Sequence, residues 1–252
     1  MKNTILQGDC ISVMGSIPDE SIDLVVTSPP YNLGIDYNSV TDKMDFSDYY
    51  DWCEKWLVEI YRVLKNDGRL CLNHYFSCGQ SDNRQAPLME LNYISQKIGF
   101  KHHSVAFWND KTLTKRTAWG SWKSASAPYV NSPFEGILIL YKNNWKKFNK
   151  GESTISDKEF VEACSGVWNL KPETHKKYNH PAPFPISLPL RCINLLTYKG
   201  DLVLDPFMGS GTTAIACIET ERNYIGIEKD LTFYNLINKR INDYKSQTNL
   251  FK

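Results

Sequence analysis

The sequence lacks both a strong excess of charge and a long apolar segment. Its 252 residues carry 29 Lys and Arg against 28 Asp and Glu, a net charge of +1. This balance excludes a protein that coats nucleic acid through overall basicity, so any site for a polyanion must be a local patch. No stretch approaches the roughly 20 apolar residues of a transmembrane helix. Residues Met1 to Asp9 lack the apolar core of a signal peptide, and we therefore expect a cytoplasmic protein without membrane contact.

Paired cysteines and clustered histidines are also missing. The seven cysteines are an odd number and form no C-x-x-C pair, which argues against a disulfide framework and against a four-cysteine zinc site. The five histidines do not fall at metal-ligand spacing with carboxylates. We therefore expect no metal. Aromatic residues, in contrast, make up 13% of the chain and provide rings for stacking.

Short apolar runs alternate with helical patterns at both ends of the chain. Ile22 to Thr27 is a β-branched run, typical of a strand that is buried on both faces. Phe46 to Leu64 has apolar residues at helical spacing, Tyr49 among them, and a strand resumes over Arg69 to Asn73. Helical and strand patterns alternate again from Leu188 onward. This rhythm predicts an α/β fold with a largely parallel sheet, whereas residues 109–185 have no clean period apart from a strand at 136–141.

A glycine-rich loop follows the strand predicted at Leu202 to Leu204. Asp205-Pro206-Phe207 leads into Gly209-Ser210-Gly211, and Thr212 opens a helix. Such a loop lets the backbone approach a ligand, and the helix N-terminus offers unpaired N–H groups. Glu228 ends the next strand, where a carboxylate can bind a ribose diol. These residues suit a dinucleotide or an adenosyl ligand, or a turn that binds nothing; the missing Gly-Lys-Ser/Thr disfavours a phosphate loop.

A second loop, Ser28-Pro29-Pro30-Tyr31, follows the strand predicted at Ile22 to Thr27. Two prolines end the ladder pairing and fix a rigid turn that carries a hydroxyl, a carbonyl and an aromatic ring. The oxygens can accept the N–H bonds of a planar amine while Tyr31 stacks on its ring. Taken alone, such a turn is more often structural.

Together, Val26-Thr27-Ser28-Pro29-Pro30-Tyr31 and the segment from Asp205 to Thr213 resemble the catalytic and cofactor motifs of DNA amino-methyltransferases. Their order resembles the permuted β group of that family. The resemblance implies a Rossmann-like, S-adenosylmethionine-dependent methyltransferase fold with a mostly parallel seven-stranded sheet and a circularly permuted motif order. Residues 1–108 would form the catalytic half, 109–185 the target-recognition insertions and 186–252 the cofactor-binding half.

The resemblance also implies a role for each matching residue. Ser28, Pro29, Pro30 and Tyr31 would form the amine site. Asp9 would bind the adenine amine of S-adenosyl-L-methionine, and Glu228 would bind its ribose hydroxyls. The remaining cofactor-binding positions would be Asp205, Pro206, Phe207, Gly209, Gly211 and Thr212.

The implied substrate is a base that is flipped out of double-stranded DNA. The first loop residue in this family is often Ser in N4-cytosine enzymes and Asp or Asn in N6-adenine enzymes, so Ser28 favours N4 of cytosine over N6 of adenine. No cysteine follows a proline, so the nucleophile of carbon-5 methylation is absent. Phosphate contacts are expected from basic residues of the irregular middle, namely Lys111, Lys115, Arg116, Lys123, Lys146 and Lys147. The resemblance also implies a companion restriction endonuclease. We expect the chain itself to be a monomer or a homodimer.

Two other functions stay open. Methyltransferases of protein glutamine or RNA bases usually place the glycine loop before the Pro-Pro-Tyr loop, the reverse of the order found here. A non-catalytic DNA-binding module is disfavoured by the intact Ser28, Tyr31, Asp205 and Glu228. Methylation of DNA requires the loops at Ser28 and Gly209 to meet at one edge of the sheet.

Overall fold

The structure is a computed structural model that describes residues 1–35, 42–78, 84–109, 120–130, 132, 134–172 and 184–249. The strands in this part of the chain are β1 (Thr4–Gln7), β2 (Ile22–Thr27), β3 (Leu64–Tyr75), β4 (Lys101–Asn109), β5 (Phe134–Tyr141), β6 (Val167–Trp168), β7 (Leu202–Asp205) and β8 (Asn223–Glu228). The helices are α1 (Cys10–Met14), α2 (Phe46–Val63), α3 (Pro87–Ile98), α4 (Asp157–Cys164), α5 (Ser187–Leu196), α6 (Thr212–Glu219) and α7 (Leu231–Asn249).

All strands join one sheet in the order β1-β8-β7-β2-β3-β5-β4-β6. Neighbouring strands are parallel except where β5 lies between β3 and β4, because β5 runs antiparallel to both. The two ends of the chain share this sheet, since β1 pairs with β8 and β2 pairs with β7. The predicted α/β fold with a mostly parallel sheet is confirmed.

The sheet has eight strands where seven were predicted. The additional strand is β6, which pairs with β4 through only two residues, Val167 and Trp168. Two residues are too short for any periodicity to predict a strand. Burial holds β6 in place, because the Trp168 ring is fully buried and its Nε1 donates to the Ala163 carbonyl at 2.9 Å.

Helices cover both faces of the sheet, which explains the continuous apolar strands. All six residues of β2 are buried. Val25 packs in the core beneath α1, α2 and α3, whereas Leu24 and Val26 pack in the core beneath α5, α6 and α7, because successive strand residues point to opposite faces. None of the helices in the described ranges is both long and apolar enough to span a membrane.

The strand directions define two edges of the sheet. The carboxyl ends of β1, β8, β7, β2, β3 and β4 lie at one edge, here called the carboxyl edge, and their starts lie at the opposite amino edge. The antiparallel β5 is reversed, so Glu135 at its start pairs with Tyr75 at the carboxyl edge. Tyr141 at its end pairs with Arg69 near the amino edge.

Candidate active site

The two predicted loops meet at the carboxyl edge. Ser28 directly follows β2, and the glycine loop directly follows β7, its neighbour in the sheet. Thr27 Oγ1 donates a hydrogen bond of 2.9 Å to Asp205 Oδ1, and both side chains are buried. The geometric expectation from the sequence is therefore confirmed.

The buried carboxylate of Asp205 connects the two loops through hydrogen bonds. Besides the Thr27 bond, its carboxylate accepts hydrogen bonds from Thr213 Oγ1 at 2.6 Å and from the Phe207 amide at 3.1 Å. Burial outweighs these bonds and raises the pKa of Asp205 to about 6. The side chain is 0% exposed, and these three hydrogen bonds give Asp205 a supporting role between the two loops.

The other predicted cofactor positions fall into a buried group and a partly exposed group. Pro206, Gly211 and Thr212 are buried and support the loop, whereas Asp9, Phe207, Gly209 and Glu228 retain exposed surface. The Phe207 ring packs edge-on against Trp56, with centroids 5.4 Å apart, and also contacts Trp52. The exposed positions therefore offer surface that a ligand can contact.

Glu228 lies beside the glycine loop. Its Oε2 accepts from the Gly209 amide and its Oε1 from the Asp230 amide, both at 2.9 Å. Burial raises the pKa of Glu228 to about 7. A carboxylate has about four lone-pair sites, so these two bonds leave capacity for a diol.

Asp9 lies close to Glu228 because β1 pairs with β8. The Gly8 amide donates to the Glu228 carbonyl at 2.9 Å, and Asp9 Oδ1 accepts from the Ile11 and Ser12 amides at the start of α1. Two carboxylates thus lie in a row to one side of a loop whose Gly209 and Gly211 have φ values of +54° and +80°. Carboxylate acceptors beside a closely approachable backbone fit the amine, hydroxyls and chain of an adenosyl ligand.

The second loop carries a network of short hydrogen bonds. Ser28 Oγ lies 2.7 Å from Tyr31 Oη, and Tyr31 Oη donates to Glu135 Oε2 at 2.8 Å. Asn73 Nδ2 donates to Tyr31 Oη at 2.7 Å and to Glu135 Oε2 at 2.6 Å. Burial and the charge of Glu135 raise the pKa of Tyr31 well above its ordinary value, so its hydroxyl is protonated. Ser28, Pro30 and Tyr31 are half-buried, and Pro29 is buried.

Two buried side chains hold this loop against β3 and α2. The Tyr49 hydroxyl donates to the Pro30 carbonyl at 2.8 Å and lies 2.9 Å from His74 Nε2. His74 is fully buried, which lowers its pKa to about 3 and keeps the ring neutral. The His74 and Tyr31 rings pack with centroids 4.3 Å apart. At the loop's end, the Asn32 amide exchanges two hydrogen bonds with the Met44 backbone.

Four residues of the site were not predicted from the sequence, namely Tyr49, Asn73, His74 and Glu135. Asn73 ended a predicted strand, and the rule that ligands bind at the carboxyl ends of parallel strands could have drawn attention to it and to His74. Glu135 could not be found without the direction of β5. Tyr49 was identified only as an apolar position of a helix.

The residues predicted to contact DNA are not on one surface. Lys123 is exposed in the 120–130 segment, whose flanking strands β4 and β5 meet at the carboxyl edge. Lys146 and Lys147 follow the end of β5 and lie at the amino edge. Lys147 Nζ forms ion pairs with Asp201 at 2.5 Å and Asp23 at 3.3 Å, so both lysines lie away from the carboxyl edge, where the two loops meet. Lys111, Lys115 and Arg116 lie outside the described residues.

Comparisons with known proteins find similar sequences. A family model described as DNA methylase matches residues 22–239. The Type II methyltransferase M.MjaVI of Methanocaldococcus jannaschii is 44% identical over 174 residues, which cover 69% of this chain and 88% of that protein. M.HinfI of Haemophilus influenzae is 30% identical over 270 residues, with 98% and 70% coverage.

Solved structures share the fold. The DNA modification methylase TTHA0409 of Thermus thermophilus, complexed with S-adenosyl-L-methionine, is similar with a TM-score of 0.76 at 22% identity, over 95% of both chains. The PvuII DNA methyltransferase, described as cytosine-N4-specific, gives a TM-score of 0.72 at 23% identity, over 97% of this chain and 91% of that one.

Proposed function

We propose that this chain, which belongs to the DNA methylase family, transfers a methyl group from S-adenosyl-L-methionine to the exocyclic amine of a flipped DNA base, with N4 of cytosine as the favoured target. The observation that carries the proposal is the buried bond between Thr27 and Asp205. It joins the residue before Ser28 to the residue that opens the glycine loop, so an amine and a methyl donor would meet at one edge.

The cofactor site would use the exposed members of the predicted set. When bound, S-adenosyl-L-methionine supplies a methyl group on a positively charged sulfur. Asp9 and Glu228 would accept hydrogen bonds from the adenine amine and the ribose hydroxyls, and Phe207 and Gly209 would line the groove. The buried Asp205 would contribute negative charge beneath the loop without touching the ligand.

The amine site must make a poor nucleophile react. The lone pair of an exocyclic amine is delocalised into the base, and hydrogen bonds from its two N–H groups to Ser28 Oγ and the Pro29 carbonyl would move the nitrogen toward tetrahedral geometry. Fixed orientation of two reactants contributes up to about 7–11 kcal/mol in the best intramolecular models. Tyr49 would fix that orientation by holding the neighbouring Pro30 carbonyl.

A base inside a duplex cannot reach this pocket, so the target base would be flipped out at a cost of roughly a few kcal/mol. His74 packs against one face of the Tyr31 ring, and the base would stack on the opposite face. Stacking contributes about 1–3 kcal/mol per base. We expect Tyr31→Ala to lower the rate of methyl transfer by a corresponding factor while S-adenosyl-L-methionine affinity, measured by equilibrium dialysis, changes little. Equal losses in both would contradict the stacking role.

Ser28 favours cytosine, and N6 of adenine is the alternative target. DNA from cells that express the chain should be digested to nucleosides and analysed by mass spectrometry, with Ser28→Ala as the control. We expect N4-methylcytosine that disappears in the variant. N6-methyladenine alone would overturn the target base and keep the reaction class, whereas no methylated base at all would overturn both.

The DNA partner would be duplex DNA approached from the carboxyl edge, where Lys123 lies. Single-molecule sequencing of the same DNA would report the sequence context of each methylated base. Pairing with a restriction endonuclease and the choice between monomer and homodimer stay predictions from the resemblance.

A further inference from the structure

We propose that Glu135 is a positioning residue that accepts, through Tyr31 and Ser28, the proton that the target amine loses on methylation. The proposal rests on the proposed placement of the amine at Ser28. It is carried by an unbroken chain of hydrogen bonds, from Ser28 Oγ to Tyr31 Oη at 2.7 Å and from Tyr31 Oη to Glu135 Oε2 at 2.8 Å.

The number of hydrogens fixes the direction of this chain. The Tyr31 hydroxyl has one hydrogen, and it donates that hydrogen to the Glu135 carboxylate. Tyr31 Oη must therefore accept from Ser28, whose hydrogen is then also committed. Ser28 Oγ is left with lone pairs only, so it faces the site as a hydrogen-bond acceptor. An acceptor is what the N–H group of an amine requires.

Asn73 holds this series of hydrogen bonds in place, and its own side-chain oxygen is left without a partner among the described residues. Its Nδ2 donates to Tyr31 Oη and to Glu135 Oε2, while its buried Oδ1 has no partner among the described residues. A buried polar atom without a partner is destabilising. Reversing the amide would place Oδ1 against the negative charge of Glu135, so the bonds to Tyr31 and Glu135 determine its orientation. The bond to Glu135 Oε2 favours the charged form of that carboxylate.

The proton transfer balances along these atoms. The amine nitrogen uses its lone pair to form a bond to the methyl carbon. The carbon–sulfur bond breaks at the same time, and the electron pair of that bond stays on sulfur. The nitrogen becomes positively charged and gives one proton to Ser28 Oγ. The Ser28 proton moves to Tyr31 Oη, and the Tyr31 proton moves to Glu135, which becomes a neutral acid. Glu135 is half-buried and can return the proton to solvent.

The test uses the full chain with enzyme in excess over unmethylated plasmid DNA and radiolabelled S-adenosyl-L-methionine, so that a single turnover is measured. Glu135→Gln keeps the size of the side chain and removes its charge. We expect it to slow methyl transfer by about 100-fold, the lower range for acid–base assistance, with DNA and cofactor affinities within about threefold of wild type. Glu135→Asp should recover part of the loss.

Two further variants separate a proton path from a structural effect. Tyr31→Phe keeps the ring and cuts the path, so the double variant with Glu135→Gln should be no slower than Tyr31→Phe alone. Glu219→Gln is the matched control, because Glu219 also accepts from a tyrosine, Tyr244, at 3.0 Å but lies at the end of α6, away from the site. We expect wild-type rates from it.

A readout without turnover is the infrared difference spectrum between wild type and Glu135→Gln at neutral pH. We expect the band of an ionised carboxylate, because a protonated Glu135 cannot accept the proton. A band of a neutral acid, a wild-type rate for Glu135→Gln, or additive losses in the double variant would overturn the proposal. Nucleoside analysis of the same samples tests the target base separately, since the path serves either amine.

Discussion

Gly211 offers a direct test of how tightly the cofactor loop is packed. Its φ of +80° lies in the left-handed region, and a Cβ added there would lie 2.9 Å from Ile237 Cγ2 in the buried face of α7. Gly200 has nearly the same φ, +79°, but an added Cβ would meet nothing within 4 Å. Alanine at Gly200 therefore carries the backbone penalty alone, whereas alanine at Gly211 carries the same penalty plus a steric one.

The magnitudes follow from these two contributions. Left-handed backbone costs a residue with a Cβ about 1–2 kcal/mol, which we expect for Gly200→Ala. Overpacking a well-packed core adds about 1–3 kcal/mol, so Gly211→Ala should lose about 2–5 kcal/mol. The difference between the variants isolates the contact with Ile237, because the backbone contribution cancels.

Urea unfolding followed by circular dichroism measures the free energy of unfolding of each variant. Calorimetric titration with S-adenosyl-L-methionine measures whether displacement of the loop reaches the ligand. We expect weaker binding for Gly211→Ala and unchanged binding for Gly200→Ala. Equal losses of stability in both variants would refute the steric reasoning, and unchanged cofactor affinity in Gly211→Ala would refute the assignment of this loop to the cofactor.

Other variants test the buried charges and the loop support. The pKa of Asp205 is about 6 in the folded chain, against an ordinary value of 3.8. Between pH 3.8 and 6 the folded state therefore holds a proton on Asp205 that the unfolded state has lost. The free energy of unfolding should fall by about 3 kcal/mol as the pH rises through this window. Urea unfolding over a pH series should show that Asp205→Asn lacks this fall. Lys147→Ala should lose about 3 kcal/mol of stability and keep wild-type DNA affinity, and Lys146→Ala should change neither. In filter binding, Lys123→Ala should weaken DNA binding and lower its salt slope by about 1. Tyr49→Phe should slow single-turnover methyl transfer with unchanged cofactor affinity, because the Pro30 carbonyl loses its donor.

The limits of a helix or strand could be predicted from the sequence where residues such as proline or glycine stand at its ends. The predicted strand at Ile22 to Thr27 has the same bounds in the structure, because two prolines forbid its continuation. The predicted start of a helix at Thr212 is likewise the start of α6, because the glycine loop bounds it. The two-residue β6 and the polar helix α4 were missed, since neither is long or apolar enough to produce a period.

Burial limited what could be predicted about the cofactor residues. A motif indicates which residues lie in a loop, but it does not distinguish a residue that touches the ligand from one that holds the loop. Asp205 has no exposed surface because Thr27, Thr213 and the Phe207 amide enclose its carboxylate. That enclosure involves a strand far away in the chain, and no local pattern indicates it.

The direction of one strand accounts for the largest differences between the expected and the observed positions of residues around the site. A parallel sheet predicts that everything after a strand lies at the carboxyl edge, and on that assumption Lys146 and Lys147 would face the substrate. Because β5 is antiparallel, its start rather than its end reaches the site. The same reversal that places Lys146 and Lys147 at the amino edge brings Glu135 beside Tyr31. The direction of β5 depends on long-range pairing with β3 and β4, so it could be learned only from the folded chain. The proposed DNA surface and the proposed proton path therefore rest on the same strand direction, and both would fail if β5 ran parallel to β3.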